Sequence, residues 1–209
     1  MKMTREEYKR QFIHISMGLW AFYPLVLTRR EALLVPLVML LLVLFLWRPN
    51  VWRKGFEFMA RDEDYKHGIL IGPLIYIVAI EICVLFFDTY ISGLCLCIMG
   101  FGDGFSTIMG RNFGKYPLPL NMKKSVEGSL SFLVSAFLVS LFVLNFTSPV
   151  GEIYFMVKIA LLGSFVGMIV EIPDYEKFRK KSIISRILLD DNLFVPILAG
   201  LAMQLYSMV

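Results

Sequence analysis

The strongest constraint on the fold is a series of long, continuous apolar runs. A helix needs about 20 apolar residues to cross a bilayer, with a range of roughly 17 to 25. Seven runs match this pattern, at about 12–28, 31–47, 68–87, 90–110, 128–146, 153–170 and 192–208. Because apolar residues follow one another without alternation, helices are favoured over the strands of a membrane barrel.

The composition supports the same class of protein. The chain has 209 residues, of which 57% are hydrophobic, as in polytopic membrane proteins rather than soluble domains. Backbone groups inside a bilayer must be satisfied within the protein, so a helix bundle follows. No repeat or low-complexity linker divides the chain. We therefore predict a single all-α integral-membrane domain over 1–209, with about seven transmembrane helices.

The basic residues predict how this bundle is oriented. When the N-terminal segment and the loops are assigned alternately to two sides, 18 Lys and Arg residues fall on one side and two on the other. The positive-inside rule places the basic side in the cytosol. We expect a cytosolic N-terminus, a C-terminus outside, and a location in a prokaryotic plasma membrane or an ER-type membrane.

The fourth run contains Asp103, a residue that a bilayer accommodates only at a cost. It lies eight positions before Arg111, or about 12 Å along a helix from the cytosolic boundary. Gly100, Gly102 and Gly104 weaken the helix around it, and broken membrane helices line cavities rather than lipid. A polar contact with a neighbouring helix is the simpler explanation. We favour a functional carboxylate and predict that it binds Mg²⁺.

The loop after the fourth run combines glycines with cations. Ordinary positive-inside charge accounts for some of the cations. The pattern also suits a backbone folded around phosphate, with cations offsetting its charge. Its members are Gly110, Arg111, Gly114, Lys115, Lys124 and Gly128. Gly114-Lys115 is not a Walker A motif, since Tyr116 follows instead of Ser or Thr. These residues predict a nucleotide site at the cytosolic face.

Two helix starts at the same face also carry polar groups. Ser125 is placed to cap the helix of the fifth run, with Glu127 in its first turn. A helix N-terminus is also an anion site, so capping and phosphate binding are compatible. Arg10 and His14 share a helix face at the start of the first run. A single histidine at such a boundary is more often structural.

Acidic residues close the sixth run and open the seventh. Glu171 ends the sixth run, and Asp190, Asp191 and Asn192 begin the seventh from the same side. Capping explains one of the last three. Two adjacent carboxylates exceed that need, and with Glu171 they are candidates for holding a metal or positioning a hydroxyl group.

Taken in order, these segments resemble the CTP-dependent lipid-alcohol kinases: dolichol kinase, phytol and farnesol kinases, and the yeast-type diacylglycerol kinase. The resemblance runs from Arg10 to Pro196 and includes five segments. They are Arg10-Gln-Phe-Ile-His14-x3-Gly18; Gly102-Asp103-x6-Gly110-Arg111-x2-Gly114-Lys115; Lys124-Ser125-Val126-Glu127-Gly128-Ser129; Glu171-Ile-Pro173; and Asp190-Asp191-Asn192-x3-Pro196. Gln11 stands where that family usually has lysine.

The resemblance implies phosphoryl transfer from CTP, with Mg²⁺ or another divalent cation, to the terminal hydroxyl of a lipid. It alone supplies CTP as the donor, since the residues by themselves indicate only a nucleotide. The implied acceptor is a polyprenol, dolichol or another isoprenoid alcohol, with diacylglycerol as the further alternative. CTP, the lipid alcohol and the bilayer are the expected partners. Nucleic acid is not expected, and no sequence feature supports an oligomer.

The motifs and the resemblance together assign roles to residues. Catalysis is assigned to Asp103, Glu127 and Lys124. Metal binding is assigned to Asp103, Glu127, Glu171, Asp190 and Asp191. Nucleotide and phosphate binding is assigned to Gly102, Arg111, Gly114, Lys115, Lys124, Ser125, Gly128, Asp191 and Asn192. Arg10 and His14 are assigned to the side of the lipid alcohol.

Two other functions fit the same residues. A CTP-dependent phospholipid cytidylyltransferase would release pyrophosphate instead of CDP. A small transporter or flippase, with Asp103 as an ion site, would move its substrate without consuming a nucleotide. The transporter hypothesis leaves the one-sided basic loop without a purpose.

Overall fold

The computed structural model of the protein describes residues 3–175 and 190–208. The loop between the sixth and seventh apolar runs, whose residues 177–186 supply five of the cations used to predict the orientation, lies largely outside these residues. Within them the chain is mostly helical, which supports the predicted all-α class.

The chain begins with two helices that are capped in the same way. Helix α1 spans Arg5–Met17 and continues as a 3₁₀ segment over Gly18–Leu25, and α2 spans Arg29–Phe45. The side chains of Thr4 and Thr28 each accept a hydrogen bond from the backbone of a glutamate three residues on, which reciprocates. These capping boxes fix both helix starts.

A short connection packs beneath the end of α2. It contains α3 (Arg53–Met59) and α4 (Asp64–His67), and leads into α5 (Ile71–Phe86). Phe56 of α3 is fully buried in a small cluster with Val43, Leu70 and Ile77. The turn after α4 is made by Gly68, whose φ of 63° is the left-handed conformation that glycine adopts without strain. This connection is therefore docked on the bundle.

One long helix runs through the centre of the bundle. It consists of α6 (Thr89–Cys97), a π-helical segment (Ile98–Asp103) and α7 (Gly104–Phe113). The π segment replaces the break that the glycines predicted, and it ends on Asp103. A Cβ on Gly100 would lie 2.5 Å from the Cα of Gly18, so the π and 3₁₀ segments touch backbone to backbone. Single π turns are frequent at functional sites.

A hairpin and three helices complete the described chain. Strands β1 (Pro117–Leu118) and β2 (Asn121–Ser125) pair antiparallel, with Leu118 opposite Asn121. Helix α8 (Val126–Thr147) follows directly, capped by Ser125 as predicted. Helices α9 (Ile153–Glu171) and α10 (Asp191–Ser207) pack against each other and against the central helix. The hairpin was not predicted from the sequence.

Three helices of the described chain are long and apolar enough to cross a membrane: Thr89–Phe113, Val126–Thr147 and Ile153–Glu171. The helix Ile71–Phe86 is apolar but shorter. The central helix is largely buried, whereas α8 and α9 expose rows of large apolar side chains, as expected for contact with lipid. The protein is thus an all-α membrane protein. The count of seven spans and the orientation of the termini remain predictions.

Candidate active site

A cavity of about 710 Å³ opens at one end of the bundle. Its lining comes from α1, the connection around α3 and α4, the central helix, the hairpin and the adjoining ends of α8, α9 and α10. Its volume is within the range of small-molecule sites. Of the predicted site residues, the cavity brings together Arg10, Asp103, Arg111, Lys124, Ser125, Gly128, Glu171, Asp190, Asp191 and Asn192.

Lys124 forms the centre of this cavity. Its Nζ lies 2.6 Å from Oε1 of Glu171 and 3.8 Å from Oδ2 of Asp191, and it also donates to the backbone carbonyl of Glu171. Burial lowers the pKa of the ammonium group, but the surrounding carboxylates, Glu171 first, outweigh that effect and raise the pKa overall. Lys124 therefore stays charged at neutral pH and holds two carboxylates in place.

Asp103 lies beside His14, from a different helix. Nε2 of His14 lies 3.2 Å from Oδ2 of Asp103 and 3.2 Å from the carbonyl oxygen of Met99. Since a carbonyl only accepts, the tautomer with a proton on Nε2 fits this geometry. The His14 ring also packs edge-on against Tyr76. The histidine that the sequence placed with the lipid alcohol thus contacts the central carboxylate.

Ser106 connects the two halves of the site, and sequence reasoning missed it. Its hydroxyl lies 3.0 Å from the carbonyl oxygen of Asp103 and 3.2 Å from Oε1 of Glu171. The available signal was its spacing, since a residue three positions after Asp103 shares a helix face with it. Ser106 thereby links the central helix to the end of α9.

Glu127 and Lys115 lie outside the cavity lining. The carboxylate of Glu127 accepts hydrogen bonds from the backbone N–H groups of Lys115, at 3.0 Å, and Tyr116, at 3.4 Å. It therefore closes the loop between α7 and the hairpin. We predicted them in one site with Asp103 and Lys124 because the sequence alone does not distinguish charged residues of a loop from those of a cavity.

Two of the predicted glycines lie outside the cavity lining, at positions where the surrounding atoms leave no room for a side chain. A Cβ on Gly114 would lie 2.3 Å from the carbonyl oxygen of Gly110, and one on Gly102 would lie 2.8 Å from the ring of Phe132. Gly128 does line the cavity, where its Cα faces Gly110 across the contact of α7 with α8. Close packing of helices accounts for Gly102 and Gly128, and the end of α7 leaves no room for a side chain at Gly114.

The three polar residues at the start of α10 have separate functions. Asp190 caps the helix and accepts from the backbone N–H of Asn192 at 3.1 Å and from its side-chain amide at 2.9 Å. Asp191 is directed toward Lys124. One residue of the three is thus a cap, as the sequence predicted, and the carboxylate of Asp191 belongs to the central cluster.

A divalent metal ion fits this donor set in part. Among residues 3–175 and 190–208, no three His, Cys, Asp or Glu side chains are gathered closely enough to form a metal site by themselves. Glu171 and Asp191 instead pair with Lys124, and Asp103 pairs with His14. Mg²⁺ commonly takes only one or two protein carboxylates and completes its shell with phosphate oxygens and water. The hard oxygen donors present suit a metal that arrives with a nucleotide.

Comparison with known proteins gives three informative relatives. The chain is 30% identical over 218 residues to the probable chloroplastic phytol kinase 1 of Glycine max, covering 98% of this chain and 68% of the relative. It is 32% identical over 165 residues to a probable chloroplastic phytol kinase of Triticum aestivum, covering 73% and 54%. It is 28% identical over 210 residues to the chloroplastic farnesol kinase of Arabidopsis thaliana, covering 92% and 63%.

The chain belongs to the family of phytol and farnesol kinases, as the sequence motifs indicated. It spans only about half of the length of several of these relatives. No family model matches the chain, and no solved structure matches it.

Proposed function

We propose that this protein is a lipid-alcohol kinase that transfers the γ-phosphoryl group of CTP to the hydroxyl group of an isoprenoid alcohol. The observation that supports this most directly is the convergence of Asp103, Glu171 and Asp191 around the charged Lys124 in one cavity. Phosphoryl transfer depends mainly on positioning and on stabilising charge, and such a cluster supplies both.

The two ends of the cluster suit the two substrates. Asp103 lies within the central apolar span, Thr89–Phe113. A lipid alcohol keeps its tail in the hydrocarbon layer, so its hydroxyl group would reach the cavity from this side. Lys124 lies on the hairpin, outside the three apolar spans, so a triphosphate would approach the cavity from this side. The charge pattern of the sequence assigns this end to the cytosol, so the same proposal places the active site at the cytosolic face.

In the proposed reaction, the alcohol oxygen forms a bond to the γ-phosphorus of CTP. The bond between that phosphorus and the oxygen that bridges the β- and γ-phosphates breaks. CDP leaves, and the hydroxyl proton passes to the carboxylate of Asp103, which His14 holds in position. Asp191, the more loosely paired of the two carboxylates on Lys124, would hold Mg²⁺. Bound Mg²⁺ would supply charge neutralisation for the triphosphate.

The test is purified protein in lipid nanodiscs with γ-labelled CTP and a panel of phytol, farnesol, a polyprenol, dolichol and diacylglycerol. We expect labelled lipid phosphate and an equal amount of CDP, with the isoprenoid alcohols as acceptors. Release of pyrophosphate would indicate a cytidylyltransferase. Movement of lipid without nucleotide consumption would indicate a transporter, and either result would overturn the proposal.

A further inference from the structure

The basic side chains that line the cavity differ in whether they already form an ion pair with a carboxylate. The cavity is lined by Arg10, Arg61, Arg111, Lys123 and Lys124. Arg111 pairs with Glu7, Lys123 with Asp174, and Lys124 with Glu171. Within 3–175 and 190–208, Arg10 and Arg61 take part in no ion pair. The positive charges of these two guanidinium groups are therefore not neutralised by a paired carboxylate, and an incoming anion can bind them.

The backbone around Arg61 is held in place. Its N–H donates to Oδ2 of Asp64 at 2.8 Å, and the N–H of Ile71 donates to Oδ1 of the same carboxylate at 3.0 Å. Asp64 is only 3% exposed, and Phe56, on the preceding helix α3, is fully buried. A buried carboxylate that accepts two backbone donors fixes the turn between α3 and α5. Arg61 thus projects from an anchored connection.

Arg61 lines the same cavity as Asp103, although it comes from a different part of the chain. Its positive charge interacts there with both Asp103 and His14. Arg10 lies on α1, one helical turn before His14. Two guanidinium groups from separate elements thus line one cavity whose other cations are held by carboxylates.

We propose that Arg61 and Arg10 form a guanidinium clamp that binds the triphosphate of the nucleotide donor. This inference rests on the proposed kinase function and adds a phosphate-binding residue, Arg61, that lies outside every motif of the sequence. The planar guanidinium presents donors in a fork that matches two phosphate oxygens. Lys124, already paired, keeps the carboxylates in order, while the clamp carries the phosphate contact.

The test compares Arg61→Ala and Arg61→Lys with Lys54→Ala, a matched control. Lys54 is exposed on the same connection but does not line the cavity. We expect Arg61→Ala to raise the KM for CTP by roughly ten- to a hundredfold, the range of a lost charged hydrogen bond, with the KM for the lipid alcohol unchanged. Arg61→Lys should recover part of the loss, since it keeps the charge without the fork.

The outcomes separate the clamp from the kinase proposal. If wild-type protein phosphorylates a lipid with CTP, and Arg61→Ala shows the same KM for CTP as Lys54→Ala, the clamp is wrong while the function stands. If wild-type protein forms no lipid phosphate, the function itself fails. Calorimetric titration with CTP in the absence of lipid then tests the clamp alone, because Arg61→Ala must bind CTP more weakly than Lys54→Ala does.

Discussion

Two regions of the molecule carry the same kinds of residue and use them differently. The cavity cluster, defined as Asp103, Lys124, Glu171 and Asp191, is assembled from four separate stretches of chain. The loop cluster, defined as Lys115, Tyr116 and Glu127, is formed by residues close in sequence. In the first, side chains pair with side chains across the bundle, and in the second a carboxylate binds backbone N–H groups.

Charged side chains in this fold thus serve two purposes, the chemistry of the cavity and the architecture of the loops. A carboxylate that accepts hydrogen bonds from nearby backbone N–H groups fixes the loop that leads into a helix. Its oxygens are then already engaged by these N–H groups. A carboxylate that faces a buried ammonium remains directed into the cavity, where we propose that the substrates bind. We therefore expect changes in the cavity cluster to impair phosphoryl transfer and changes in the loop cluster to leave it intact.

The largest effect is expected from Asp103→Asn. The amide keeps the shape of the side chain but cannot accept the hydroxyl proton, so transfer should fall by at least roughly a hundredfold. The measurement is labelled lipid phosphate formed per minute by purified protein, with thermal unfolding as the check on folding. Asp88→Asn is the matched control, because Asp88 pairs with Gln204 and does not line the cavity. Near-normal turnover by Asp103→Asn would end the role assigned to this carboxylate.

The next effect separates two lysines that the sequence treated alike. Lys124→Ala removes the ammonium group between Glu171 and Asp191, and transfer should fall by roughly ten- to a hundredfold. The melting temperature should also fall, since the buried carboxylate of Glu171 loses its partner. Lys115→Ala should change the rate less than about twofold, in line with an exposed surface position. An equal loss of transfer rate in both variants would show that the two regions do not differ in function.

How much the sequence predicted depends on whether a signal is local. The apolar runs predicted the helices, and Ser125 and the start of α10 predicted their caps, because these depend on neighbouring residues. The pairing of Asp103 with His14 and the position of Arg61 depend on tertiary contacts between distant segments. The same limitation explains Glu127, whose backbone partners appear only once the loop is folded.

The third comparison concerns two glutamates of the lipid-kinase motifs. Glu171→Gln removes the negative charge that pairs with Lys124 and should lower transfer by roughly tenfold. Glu127→Gln keeps an oxygen that accepts from the backbone of Lys115, so its rate should stay within about twofold of wild type. Loss of transfer in Glu127→Gln, with the protein still folded, would return Glu127 to the catalytic role that the motif suggested.

The smallest effect should come from the hydroxyl that joins the two halves of the site. Ser106→Ala removes one hydrogen bond to Glu171 and should lower the free energy of unfolding by about 1 kcal/mol. Ser131→Ala serves as control, since that hydroxyl lies nearby on α8 but outside the cavity lining. Because Ser106 orders a carboxylate that itself orders Lys124, its loss should reduce the rate less than Glu171→Gln does. A larger loss than in Glu171→Gln would mean that Ser106 contacts a substrate directly, and the cavity cluster would then have to include it.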